Sequence, residues 1–295
     1  MHSPSSSFSL SACVQYIFFA VVVYVLAGAP LNSVFSNGDT DSYSGPLNTS
    51  ADQLRDIVIP TKNLSCPDHA YKGVHVLSRE PLVVYIEGFL SEMERGDVLA
   101  MSEPNFIPST IFSAGHETLD PLIRHSEKSP LPPSSTTTQC IADRARRFQG
   151  WRPFVFVEKL WAQRYHTGGH YTYHYDWSTA TPKSGRVSSF MVYVAANCTG
   201  GGTHFPRLQK PRGEEWCRFI ECGIEDERLK EGVVFKPVAG NAVYWENMRG
   251  DGSGYAESWH AGLPVESGTK VGLNVWSWLQ VGYVPGEVAE EKAEL

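Results

Sequence analysis

Tyr165-His-Thr-Gly-Gly-His-Tyr-Thr-Tyr-His174-Tyr-Asp176-Trp177 is the stretch on which the fold and chemistry of this chain turn. It is crowded with aromatic and imidazole side chains and contains a single His-x-Asp. In an extended segment successive side chains alternate between faces, so residues two apart point the same way. His174 and Asp176 then offer a nitrogen and an oxygen to one point in space. That is two-thirds of a metal site. His166 and His170 share the parity of His174, but neither opens a His-x-Asp, and ordinary hydrogen bonding suits them better. Tyr171, Tyr173 and Tyr175 read as packing residues.

A third ligand is expected on a later strand, and the histidines after Asp176 are His204 and His260. His204 stands beside a glycine turn and reads as a surface or supporting residue. Two histidines and one carboxylate on one face of an iron leave coordination positions open, the arrangement of non-haem Fe(II) oxygenases. Around the opening stretch, short apolar segments separated by Gly, Pro and Asn dominate from Phe154 onwards. Strands are expected at 154–163, 170–177, 187–195, 232–237, 242–246, 257–261 and 271–279. Many short strands with turn signals indicate a mainly β sandwich, barrel or jelly roll.

Four blocks, in order, resemble one family, the 2-oxoglutarate and Fe(II)-dependent dioxygenases, and within it the prolyl 4-hydroxylase catalytic domain. The first is Tyr165 to Asp176. The second, Gly201-Gly202-Thr203-His204-Phe205-Pro206, resembles the family's Gly-Gly-x-Thr-x-Phe-Pro. The third, Pro237 to Asn247, matches the strand and turn before the distal ligand. The fourth runs from His260-Ala-Gly262-Leu-Pro264-Val265 through Lys270 to Trp276. The resemblance covers about residues 81–280.

It implies a double-stranded β-helix, a jelly-roll variant, with helices on one side. It implies that His174, Asp176 and His260 ligate Fe(II), and that Lys270 pairs with the far carboxylate of 2-oxoglutarate. A long-stemmed ammonium suits a desolvated carboxylate. Tyr165 and Thr203 are implied hydroxyl donors to that cosubstrate, and Trp276 a wall of the pocket. O2 is the second cosubstrate, L-ascorbate the reductant, and succinate and CO2 the by-products. The implied activity is hydroxylation of peptidyl proline in secretory-pathway proteins. The alternatives are another peptidyl residue or a small molecule, or a non-catalytic β-helix binding module. Zinc hydrolysis explains neither Lys270 nor the glycine block.

The remaining sequence sets the context. At 295 residues, 42% hydrophobic and 19% charged, the chain has globular composition. A net charge of −7 offers no basic face for nucleic acid. Ala12 to Ala29 is an apolar run read as a signal-anchor, with secretion after cleavage near Ala27-Gly28-Ala29 as the alternative. An endoplasmic reticulum membrane protein with a lumenal domain is expected.

Residues 31–80 read as a polar stem carrying glycosylation sequons at Asn48 and Asn63; a third, at Asn197, abuts a core strand. The stem is too short and polar for a separate peptide-binding domain. The dioxygenase domain is expected over 81–282 and an acidic tail over 283–295. A capping box at Ser91–Glu94 opens a helix, and Phe106 to Phe112 suggests a strand. Arg124 to Thr138, rich in Ser, Pro and Thr, reads as a loop over the peptide groove. In a second helix Ile141, Ala145 and Phe148 share a face and Arg144, Arg146 and Arg147 form its solvated side. The acidic segment 212–231 reads as a surface insertion. Of six cysteines, an oxidising lumen permits Cys66–Cys140 and one pair among Cys198, Cys217 and Cys222.

Overall fold

Val83-Val84-Tyr85-Ile86 is apolar at every position, which requires a strand covered on both faces. That strand opens the central sheet. The computed structural model describes residues 64–283, apart from 114, 115, 151 and 178–180, together with Leu54, Val58 and Ile59. The run Ala12–Ala29, the sequons at Asn48 and Asn63, most of the stem and the acidic tail beyond 283 lie outside the described residues. Among the described residues no helix is long and apolar enough to cross a membrane.

The chain begins with β1 (Gly73–Arg79) and β2 (Leu82–Glu87), followed by helix α1 (Glu92–Ser102). Five short strands come next: β3 (Ile107–Pro108), β4 (Ile111–Ser113), β5 (His116–Thr118), β6 (Arg124–His125) and β7 (Glu127–Pro130). Helix α2 (Thr136–Phe148) leads into β8 (Val155–Val157), β9 (Trp161–His166) and β10 (His170–His174). The long strand β11 (Ser184–Gly200) is followed by β12 (Thr203–Phe205), β13 (Val233–Phe235) and β14 (Ala242–Glu246). Then β15 (His260–Gly262) and β16 (Val265–Gln280) complete the set.

Nine strands form the major sheet, in the order β1-β2-β14-β11-β16-β9-β7-β3 with β8 joined to β16. Five form the minor sheet, β13-β12-β15-β10-β6. The two sheets make the expected double-stranded β-helix. Strand alternation divides the core. Val83 and Tyr85 of β2, Tyr193 of β11 and Trp245 of β14 join Phe205 and Phe235 between the sheets. Their neighbours Val84, Ile86, Val192 and Tyr244 face the other way, against Val98 of α1 and Ile141 and Ala145 of α2. Helices therefore cover one side of the major sheet and leave the other for the site.

Helix α1 starts as its sequence requires. Ser91 Oγ accepts from the Glu94 amide, and Glu94 Oε2 accepts from the Ser91 amide at 2.8 Å. The reading of α2 needs correction. Arg144 is buried, donating to Phe89 O at 2.7 Å and Glu94 Oε2 at 3.1 Å. It sits one turn after Ile141 on the same inward face, where the Glu94 carboxylate compensates its charge.

Three other expectations change. The ordered sheet begins at Gly73, within the span read as stem, because β1 pairs along β2. Arg124–Thr138 is no loop: β6 pairs with β10, β7 pairs with β9, and α2 begins at Thr136. Its polar residues mark short edge strands, where one row of backbone groups meets solvent. The acidic segment is more than an insertion, since Phe219 and Ile220 are buried in the inter-sheet core. Cys217–Cys222 closes that segment and Cys66–Cys140 ties the start of the described chain to α2, leaving Cys198 free. Asn197 is exposed on β11, opposite Thr269.

Candidate active site

Strand pairing builds the site from distant residues. In the β10–β15 ladder His174 lies directly opposite His260, and their ring centroids are 4.3 Å apart. Asp176 follows two residues after the end of β10. Ligand atoms of His174, Asp176 and His260 lie within 4.8 Å of one another, the single such cluster among the described residues. His166 and His170 are elsewhere. His166 lies 3.3 Å from Glu127, and His170 is held between the carbonyls of Gly168 and Leu122. His204, read as a surface or supporting residue, is fully buried between the Tyr173 hydroxyl at 2.6 Å and Glu231 O at 2.8 Å.

Each member of the cluster is oriented from behind. His174 Nδ1 donates to Thr172 O at 2.8 Å, and His260 Nδ1 donates to Ser258 O at 2.8 Å. A carbonyl only accepts, so both rings carry a proton on Nδ1, which leaves Nε2 as the ligand atom. Asp176 Oδ2 accepts from Ser189 Oγ at 2.6 Å and Trp276 Nε1 at 3.0 Å. Asn247 holds Ser189 in turn, at 2.9 Å, and Arg186 donates to the Asp176 carbonyl at 2.8 Å.

The electrostatics agree with the tautomers. Burial, then the neighbouring His260, pulls His174 down to about 3, so its imidazole is neutral. For Asp176 burial acts upward, but His260, His174 and Arg186 outweigh it and hold the carboxyl below its ordinary range. Two imidazole nitrogens beside an ionised carboxylate are the donor types a divalent cation needs. The set of two N and one O, open on one side, fits Fe(II).

The cavity that holds this cluster also holds a buried cation. Lys270 is 1% exposed and pairs in register with Tyr165, its ammonium 4.6 Å above the Tyr165 ring. Its Nζ donates to Gly201 O at 2.6 Å. Among the described residues it has no carboxylate partner. Burial lowers its pKa to about 8. Gly201, at φ +69°, permits this approach; a Cβ there would stand 3.0 Å from Val265 Cγ2 and 3.5 Å from Lys270 Cδ.

One cavity of about 330 Å³ holds both ends, lined by the three clustered residues together with Lys270, Tyr165, Thr203 and Trp276. A buried ammonium with no counter-charge among the described residues, lining one cavity with a metal-type cluster, fits a small dianion. Thr203 Oγ1 is 2.9 Å from the Tyr193 hydroxyl, so it has a standing partner there.

The cavity also has walls that sequence reasoning missed. Tyr171, read as packing, lines it and stacks on His174 at 3.7 Å beneath the Arg124 guanidinium. Arg186 pairs with Glu158 and lies 4.0 Å from the Trp276 ring. Nothing in the sequence near Arg186 marks it. Asn247 ends the third block, which was its one signal.

Comparison with known proteins gives the same outline. Residues 160–278 match the model of the 2OG-Fe(II) oxygenase superfamily. Prolyl 4-hydroxylase 5 of Arabidopsis thaliana is 27% identical over 220 residues, 70% of this chain and 71% of that protein. The human prolyl 4-hydroxylase subunit alpha-3 is 26% identical over 80% of this chain, but the alignment spans only 42% of its own length. Among solved structures, a viral collagen prolyl hydroxylase from Paramecium Bursaria Chlorella virus-1 has the same fold. It superposes with a TM-score of 0.50 at 23% identity, covering 74% of this chain and 97% of that one.

Proposed function

We propose that this chain, whose residues 160–278 match the 2OG-Fe(II) oxygenase superfamily, is such an oxygenase and hydroxylates proline residues of a polypeptide. The observation that carries the reading is Lys270, which is buried, has no carboxylate partner among the described residues, and lines one cavity with His174, Asp176 and His260. Fe(II) held there, with 2-oxoglutarate and O2, supplies the oxidising power for C–H hydroxylation and releases succinate and CO2. The chain supplies everything else. His174 and His260 are oriented with Nε2 as the ligand nitrogen because their Nδ1 atoms are tied to carbonyls. Asp176 stays ionised and turns one oxygen inward because Ser189 and Trp276 hold the other.

Lys270 anchors the far carboxylate of 2-oxoglutarate, with the Tyr165 and Thr203 hydroxyls beside it. Tyr171, Arg186 and Trp276 wall the side left for the substrate and exclude water from it. Choice of proline is supported by the relatives named prolyl 4-hydroxylase. L-Ascorbate is the reductant assigned to keep the iron ferrous. Two disulfides support an oxidising, secretory compartment, and the apolar run Ala12–Ala29 is assigned as its targeting segment and membrane anchor.

The test is a peptide panel offered to the full chain with Fe(II) and 2-oxoglutarate, read by mass spectrometry. Gain of one oxygen on proline supports the assignment. Oxygen gained only on other residues, or on none, overturns it.

A further inference from the structure

The helices cover their side of the major sheet as far as Ala195 of β11 and Val271 of β16, which lie opposite one another. Two residues further along, the same face carries Asn197 opposite Thr269, with His166 of β9 beyond it. Thr199 and Ser267 form the next rung, their hydroxyls 2.9 Å apart. None of these five side chains is buried, and none is apolar. The alternate residues point the other way. Ala196 stands opposite Lys270, and Lys270 opposite Tyr165, on the face that lines the cavity.

Asn197-Cys198-Thr199 has the pattern of an N-linked glycan acceptor. It abuts the core in sequence but leaves it in three dimensions. Other described asparagines show the contrast. Asn241 and Asn247 are buried, bonded to Gly88 N and the Tyr85 hydroxyl and to Ser189 respectively, and neither opens an acceptor tripeptide. The Asn197 side chain is exposed and has no hydrogen bond among the described residues. Cys198, the middle residue, is the free cysteine, so no disulfide ties the tripeptide.

We propose that Asn197 carries an N-linked glycan that projects from the helix side of the sheet, away from the active-site cavity. The inference rests on the proposed secretory compartment and adds a modification site to it. In the transfer, the Asn197 side-chain nitrogen bonds to the first sugar carbon of a lipid-linked diphosphate oligosaccharide. That carbon's bond to the diphosphate oxygen breaks, the lipid diphosphate leaves, and one amide proton is lost. The acceptor is an extended chain, so folding has to leave the attached sugar in water; burial would strip its hydroxyls of hydration. An amide with no partner gives up no hydrogen bond when it is substituted. Thr199, Ser267 and Thr269 offer hydroxyls to the first sugars, and no ion pair or apolar contact of the core is displaced.

The experiment expresses the full chain in a eukaryotic secretory host and removes glycans with peptide N-glycosidase in heavy-oxygen water. Mass spectrometry then maps the heavy-oxygen aspartates and the cysteine pairing. A label at position 197 is expected in the wild type. Asn197→Gln and Thr199→Ala are each expected to lose one glycan-sized step on a gel, whereas Thr199→Ser, which keeps the hydroxyl, retains it. An unlabelled Asn197 beside a label at Asn48 or Asn63, or beside an oxidised Cys66–Cys140 pair, overturns the site and leaves the compartment standing. Unlabelled asparagines together with free thiols at Cys66 and Cys140 overturn the compartment, and the site with it. Proline hydroxylation is measured separately and stands or falls on its own product.

Discussion

Trp276 donates its indole N–H to Asp176 Oδ2 at 3.0 Å, joining two residues one hundred positions apart in sequence. Trp276 lies in register with Ser189, which donates to the same oxygen. One rung of the β11–β16 ladder thus holds the single carboxylate of the cluster. Trp276→Phe preserves the ring and removes the donor. It is expected to raise the Fe(II) concentration needed for half-maximal turnover about 10- to 100-fold, the usual effect of losing a partner behind a ligand. Iron titration of the two proteins checks this; an unchanged requirement contradicts it.

In the proposed anchoring role, Lys270 is destabilising until its anion binds. Lys270→Met keeps the length and removes the buried charge. The apo protein is expected to gain about 1–3 kcal/mol of stability, seen as a higher Tm, while losing the use of 2-oxoglutarate. A Tm that falls, or turnover that survives, removes the anchoring role.

The same residue sets a pH dependence. Its folded-state pKa is lowered by burial from 10.5 to about 8. Between those values the unfolded chain keeps a proton that the folded chain has shed, so apo stability rises with pH across that window. Affinity for the dianion moves the opposite way, because it needs the charged ammonium. KM for 2-oxoglutarate is therefore expected to climb above pH about 8 while kcat at saturation changes less. Initial rates across pH 7 to 10 decide it, and a flat KM contradicts it.

Far from the cavity, Glu94 and Arg144 form a buried pair linking α1 to α2. Burial pushes Glu94 up, but Arg144 and Ser91 outweigh it and hold its carboxyl low. That contribution is present above the ordinary carboxylate range and lost as pH falls through the lowered value. Glu94→Ala strands the guanidinium and breaks the helix cap. A loss of about 3–5 kcal/mol is expected in urea unfolding; a loss below 1 kcal/mol contradicts the pairing.

The sequence made His174, Asp176 and His260 legible because metal chemistry restricts residue type, and the blocks around them repeat a known order. Lys270 was legible for the same reason. Arg186, Ser189 and Tyr171 were not, since they enter the site through strand register and stacking rather than through a motif. Arg144 was misplaced because charge was taken as a sign of solvent, while its partner Glu94 lies fifty residues away. For His204 the structure selects the supporting role over the surface one, through partners, Tyr173 and Glu231, that come from other segments. The strands after Phe154 were largely found, whereas β6 and β7 were lost among Ser and Pro because edge strands carry little apolar signal.

The most direct test counts products. The full chain is incubated with Fe(II), 2-oxoglutarate and a proline-rich peptide, and succinate and hydroxyproline are quantified together. Equal amounts of the two are expected from the wild type, and neither above background from His174→Ala. Hydroxyproline formed by His174→Ala at the wild-type rate, or none formed by the wild type, contradicts the account.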